Sequence, residues 1–131
     1  MTRVVAALIV QDDKLLICQR TRHQTMPLRW EFPGGKIEKS EHAVAALKRE
    51  LDEELGIAAS IGPQVARIVH TYRKGVAVEL RFFLVKEYEG PIDNRIFRDV
   101  RWVKRTELPS FDFLDADRGL VADIAAGKVL P

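Results

Sequence analysis

The chain has 131 residues, 47% hydrophobic and 31% charged, which fits one ordinary soluble globular domain spanning residues 1–131. Its net charge of +2 gives no reason to expect a nucleic-acid polymer or a membrane surface as partner. The single cysteine excludes an internal disulfide, the N-terminus lacks a secretory leader pattern, and no apolar run approaches the roughly 20 residues that span a bilayer. A reducing, cytoplasmic location is therefore expected.

In chain order, Val4 to Val10 is continuously apolar and β-branched, the pattern of a strand buried on both faces. Gln11 to Lys14 reads as a turn and Leu15 to Cys18 as a second strand, with Cys18 as a buried, inert thiol. An irregular loop rich in Arg and His follows from Gln19 to Arg29. Trp30-Glu31-Phe32 reads as extended, because Phe32 precedes Pro33. Gly34 to Lys39 reads as a glycine-led loop, and Ser40 as the N-cap of a helix ending at Leu55, with Gly56 after it.

Residues 61–72 and 76–85 read as an antiparallel pair joined through Arg73-Lys74-Gly75. Val100 to Val103 is a further short strand, and Asp115 to Ala126 a second helix ending at Gly127. The order strands, helix, strands, helix predicts an α/β (α+β) fold with a mixed sheet packed between helices.

The first helix carries Glu50, Glu53 and Glu54 within five residues. On a wheel of about 100° per residue with Glu50 at zero, Glu53 falls near −60° and Glu54 near +40°. Val44, Leu47, Leu51 and Leu55 form an apolar stripe beside them, while Ala43 and Ala46 fall among the acids and keep that surface low. An acidic helix face is ordinarily solvated surface. Here the acids border the core stripe and lack a lysine four residues on to relieve their repulsion. A hard divalent cation, Mg²⁺ or Mn²⁺, would relieve it, and Mg²⁺ commonly completes its shell with substrate phosphates. Gly34 and Gly35, just before the helix, let the backbone approach a ligand closely.

Gly35, Glu41 and the run Arg49-Glu50-Leu51-Asp52-Glu53-Glu54-Leu55-Gly56-Ile57 match the Nudix box, G-x5-E-x7-R-E-U-x-E-E-x-G-U with U aliphatic, at every defined position. A chance match at a given start is on the order of one in a billion. The segments "WEFPGGKIE" and "FFLVKEYEG" resemble the MutT-like branch of small nucleoside-triphosphate pyrophosphohydrolases. The resemblance implies a Nudix-type α/β/α sandwich. It also implies Mg²⁺, with Mn²⁺ as a substitute, held by Glu50, Glu53, Glu54 and the carbonyl of Gly35. Arg49 would orient a box carboxylate such as Glu41, and the catalytic set would be Glu53, Arg49 and Glu50. The reaction it implies is hydrolysis of a nucleoside triphosphate to the monophosphate and pyrophosphate.

By the same resemblance Arg20 would contact the substrate phosphates, and Asp117, with Asp115 as its neighbour, would read the base. Phe32, Leu80 and Phe82 are candidates to line an apolar base slot, although core packing is the commoner role for such residues. His23, His42 and His70 show no metal-ligand spacing. One departure stands out. Many relatives carry a Glu six residues before the tryptophan of "VRWV", as a distal metal ligand or general base; here the position is Ile96. Asp93, Asp99 or a box glutamate such as Glu53 would have to serve instead.

An oxidised purine such as 8-oxo-dGTP and a pyrimidine such as CTP or a modified dCTP both remain open as substrates. So do a regulatory nucleotide-binding module without turnover and a hydrolase of another nucleoside diphosphate derivative. Monomer and homodimer are equally compatible with the sequence.

Overall fold

The structure, a computed structural model, describes residues 1–130. Strand β1 (Thr2–Gln11) is the organising element. Its odd-numbered residues Val5, Ala7 and Ile9 pack into one core cluster and its even-numbered Ala6 and Leu8 into another, so the run is apolar throughout because both faces are covered. On one side β1 runs parallel to β7 (Ala77–Val85), and β7 pairs antiparallel with β6 (Gln64–Thr71).

On its other side β1 has two partners. The hairpin strand β2 (Lys14–Gln19) pairs only at the turn, Val10 with Leu15 and Gln11 with Lys14. The strand β4 (Gly34–Lys36) pairs with Val4 to Ala6. Beyond the turn β2 takes β3 (Trp30–Glu31) and β9 (Asp99–Lys104) as neighbours. The sheet therefore forks, with β4 on one prong and β2, β3 and β9 on the other. The Pro33 carbonyl bridges the fork by accepting from Ala7 N–H at 2.8 Å.

Helix α1 (Ala43–Leu55) covers one face with Leu47, Leu51 and Leu55, all fully buried. Helix α2 (Arg118–Ala125) covers the other with Leu120, Val121 and Ile124. The result is the expected mixed sheet between helices. A small separate ribbon pairs β5 (Ala58–Ser60) with β8 (Glu87–Glu89). No helix among the described residues is long and apolar enough to cross a membrane.

Several local readings change. Gly34–Lys36 is a strand rather than a loop, because its glycines allow it to lie directly against β1: a Cβ at Gly34 would collide with the Val5 carbonyl. Helix α1 begins at Ala43, not after Ser40. Ser40 sits at φ 65, and the turn before the helix is instead held by Glu38 N–H donating to the Glu41 carboxylate at 3.0 Å. The C-terminal end is as expected, with Gly56 at φ 67 donating to Asp52 O at 2.9 Å.

The buried sector of α1 is also rotated toward the acids. Val44 is 41% exposed, whereas Ala46 and Glu54 are buried, since β4 closes that flank. The second helix is shorter than expected. Asp115–Asp117 is a 3-10 turn, and α2 starts only at Arg118.

Leu51 is the central apolar contact of α1. Leu51→Ala is expected to lower the unfolding free energy by about 2–5 kcal/mol, whereas Lys48→Ala on the exposed face should change it by less than about 0.5 kcal/mol. Chemical denaturation of the two variants beside the parent measures both.

Candidate functional site

The two strand glycines meet the helix acids at the fork. The Glu50 carboxyl group occupies the space where a Cβ on Gly35 would be, so a side chain there would displace it. One turn further along, Glu54 accepts from Gly34 N–H at 3.1 Å. The Glu50 carboxyl group stands beside that of Glu54. Burial, with the Glu50 and Glu31 carboxylates close by, pushes Glu54 up to about 9, and the Gly34 N–H only partly offsets this. Burial likewise raises Glu50, against the pull of Arg49.

Glu53 turns outward, with its side chain 58% exposed. Among the described residues no three His, Cys, Asp or Glu side chains converge into a ready cation cage. The fit to a divalent cation lies in the donor chemistry: hard carboxylate oxygens crowded beside a side-chain-free strand, at a position where negative charge is otherwise suppressed.

Arg49 ties the motif together. It donates bidentately to Glu41, Nε to Oε2 at 2.8 Å and Nη2 to Oε1 at 3.0 Å. It also reaches Glu50 at 2.8 Å, Glu53 at 3.4 Å and the Lys36 carbonyl at 3.2 Å. The hydrogen bonds from Arg49 hold the Glu41 carboxyl down at about 2. The expected tie from Arg49 to Glu41 is present, and the missing lysine is replaced by this arginine.

A cavity of about 220 Å³ opens beside Gly34, Gly35 and Glu54. Phe32, Leu80 and Phe82 form its apolar wall, Phe32 packing edge-on to Phe82 at 6.2 Å. Asp117 also lines it, 3% exposed, with Oδ1 lacking any hydrogen-bond partner. Burial and the Glu31 carboxylate push Asp117 up to about 7. Arg20 lines the cavity too, but its guanidinium is engaged, donating to Glu31 at 3.1 Å and 3.3 Å and to Thr25 O at 2.8 Å. Gly35, Glu54, Arg20, Phe32, Leu80 and Asp117 thus line one cavity, whereas Arg49, Glu50 and Glu53 on α1 do not. A larger groove of about 680 Å³ lies between α1 and the β5–β8 ribbon and contains none of them.

Glu31 and Tyr72 also line the cavity and were not picked out from sequence. Glu31 had a usable signal, since an acid between Trp30 and Phe32 in an extended segment is placed for burial and needs a partner. Tyr72 had none. Asp115 points away into ion pairs with Arg29 and Arg118. The loop after β8 docks on the end of α1, Asp93 N–H donating to Leu55 O at 2.9 Å and Arg95 N–H to Glu54 O at 3.1 Å. This sets Ile96 on the cavity wall. Asp93 pairs with Arg95 at 3.2 Å and Asp99 with Arg101 at 2.7 Å, and neither lines the cavity.

The NUDIX domain family model matches residues 1–124. The chain belongs to the Nudix family. Among its Nudix relatives, the "Putative 8-oxo-dGTP diphosphatase 2" of Mycobacterium tuberculosis (strain H37Rv) is 38% identical over 93% of this chain and 86% of its own length. The "CTP pyrophosphohydrolase" of Escherichia coli K12 is 35% identical over 89% and 86%. Among solved Nudix-like structures, the E. coli ORF135 protein superposes with a TM-score of 0.86 at 34% identity, covering 96% of this chain and 89% of that one. Nudix hydrolases generally need divalent metal ions, which accords with the acid pair at the fork.

Arg49→Lys keeps the charge but loses the bidentate fork. It is expected to lower kcat about 10–100-fold, the usual cost of removing a group that orients metal ligands, with the melting temperature nearly unchanged. Pyrophosphate release and a thermal melt read the two quantities.

Proposed function

We propose that this protein is an Mg²⁺-dependent Nudix hydrolase, with Mn²⁺ as a substitute, that cleaves a nucleoside triphosphate to the monophosphate and pyrophosphate. The observation that carries the reading is the shared cavity, lined by Glu54 and the Gly34-Gly35 strand and also by the unpartnered Asp117 carboxyl. The cation would be held by Glu50, Glu53, Glu54 and the Gly35 carbonyl. When bound it supplies charge neutralisation to the phosphates and acidifies water.

The chain's own groups do the rest. Arg49 holds Glu50 and Glu53 at the helix surface. Phe32 and Leu80 exclude water from the base, and Arg20, released from Thr25, takes a phosphate oxygen. A water attacks phosphorus, its proton passes to exposed Glu53, and the bond between the α- and β-phosphates breaks as pyrophosphate leaves. With Ile96 on the cavity wall, and Asp93 and Asp99 off the cavity, the proton falls to Glu53, the most exposed of the three motif acids and paired with Arg49 only at 3.4 Å.

The base is read at its amino-bearing edge by Asp117 and Glu31. As two carboxylates they accept from adjacent donors, the arrangement on the edge of guanine and its 8-oxo derivative. A second reading, cytosine, is favoured by the raised Asp117: protonated, it donates to a ring nitrogen while Glu31 accepts from the amino group.

The test is pyrophosphate release from the eight common nucleoside triphosphates, 8-oxo-dGTP and 5-methyl-dCTP, with EDTA as control. Metal-dependent release from amino-bearing bases, with UTP and dTTP poor, is expected; no release from any would sink the reading. Glu53→Gln should lose most turnover while melting as the parent does. Because Asp117 ionises as pH rises through about 7, kcat/KM for a guanine-type substrate should rise across that range and for a cytosine-type substrate should fall. Asp117→Asn should flatten either profile.

A further inference from the structure

Glu31 and Asp117 lie on segments far apart in sequence, yet both must face one base. What joins those segments is a closed ring of four charges outside the cavity. Arg29 reaches Asp112 at 3.3 Å and Asp115 at 3.2 Å, and Arg118 reaches the same two, at 2.6 Å and 3.2 Å. Arg29 also donates to the Phe113 carbonyl at 3.2 Å. Beneath the ring the backbones are stitched, Trp30 N–H to Asp112 O at 2.9 Å and Leu114 N–H to Trp30 O at 3.0 Å. Asp117 N–H donates in turn to Leu114 O at 2.9 Å. Arg29 therefore sits two residues before Glu31, and its partners sit two and five residues before Asp117.

We propose that Arg29 is a positioning residue for base discrimination: through the ring with Asp112, Asp115 and Arg118 it sets the spacing between Glu31 and Asp117. This rests on the reading that these two carboxyls contact the base. None of the four ring side chains lines the cavity, so the ring touches no substrate atom. Exposed ion pairs contribute little to stability unless several charges form a network. The effect is on placement, and small misplacements of a polar group that reads a ligand cost much in selectivity. The ring is largely exposed, so salt weakens it.

The readout is the ratio of kcat/KM for the preferred amino-bearing triphosphate to that for UTP. Both substrates carry the same triphosphate, so screening of the phosphates cancels from the ratio. Arg29→Gln is expected to lower the ratio about tenfold, through a raised KM for the preferred substrate with kcat held. Arg29→Lys should recover part of the loss. Asp115→Asn, at the outer rim, should shift the ratio in the same direction and serves if Arg29→Gln fails to fold. In the parent the ratio should fall between 0.1 M and 1 M NaCl, as the Debye length drops from about 10 Å to about 3 Å.

Asp117→Ala is run in parallel. If it abolishes discrimination while Arg29→Gln and Asp115→Asn leave the ratio intact, the ring has no positioning role and the base reading stands. If Asp117→Ala itself leaves the ratio intact, the base reading falls and the proposal falls with it. A drop in kcat alone, equal for both substrates, would also overturn the proposal.

Discussion

A buried and a half-buried carboxyl group, Glu54 and Glu50, pressed against two strand glycines are the constraint around which this protein is arranged. Placing Glu54 beside Glu50 away from water is unfavourable, since burial disfavours the charge of both and the Glu50 carboxylate further disfavours that of Glu54. The leucine stripe of α1 holds the helix down regardless, and full burial of such a side chain contributes roughly 1.5–3 kcal/mol. The cost at the acids is thus borne by apolar packing one turn away. Gly34 and Gly35 make the approach sterically possible, and Arg49 keeps the acid set from flying apart. None of these parts has a purpose without the others.

The forked sheet explains why the acids face a cavity and not a packed core. If β2 paired with β1 along its full length, there would be no room for β4, and Gly35 could not reach Glu50. The fork also places Pro33 and Phe32 where the two prongs separate. A topological feature of the sheet thereby becomes a slot between the acid pair and the base-facing residues.

Legibility from sequence followed range. The doubly buried strand β1, the Gly56 helix end and the motif acids were all readable, because each depends on residues close along the chain. The start of α1 was misplaced because the Glu41 side chain is captured by Arg49, eight residues away, which no capping rule anticipates. The strand β4 was taken for a loop because glycine ordinarily weakens strands, and here close approach outweighs that preference. Val44 fits the helical stripe but lies past the flank that the sheet covers. Asp117 is singled out only by the family resemblance, and its burial in the 3-10 turn before α2 has no signal in local sequence. Glu31 needed three-dimensional knowledge of what the strand after Arg29 faces.

The acid set and the glycine strand come from one continuous run of 24 residues, Gly34 to Ile57. The base-facing wall is assembled from pieces around residues 20–32, 72–82, 96–97 and 114–117. The two halves can therefore change largely independently. On the proposed reading, substitutions at Leu80 or Asp117 change what is recognised without touching the motif acids, whereas Glu31, which pairs with Arg20 and acts on Glu54, belongs to both halves. A family built this way will contain members of closely similar sequence that differ in the nucleotide they remove.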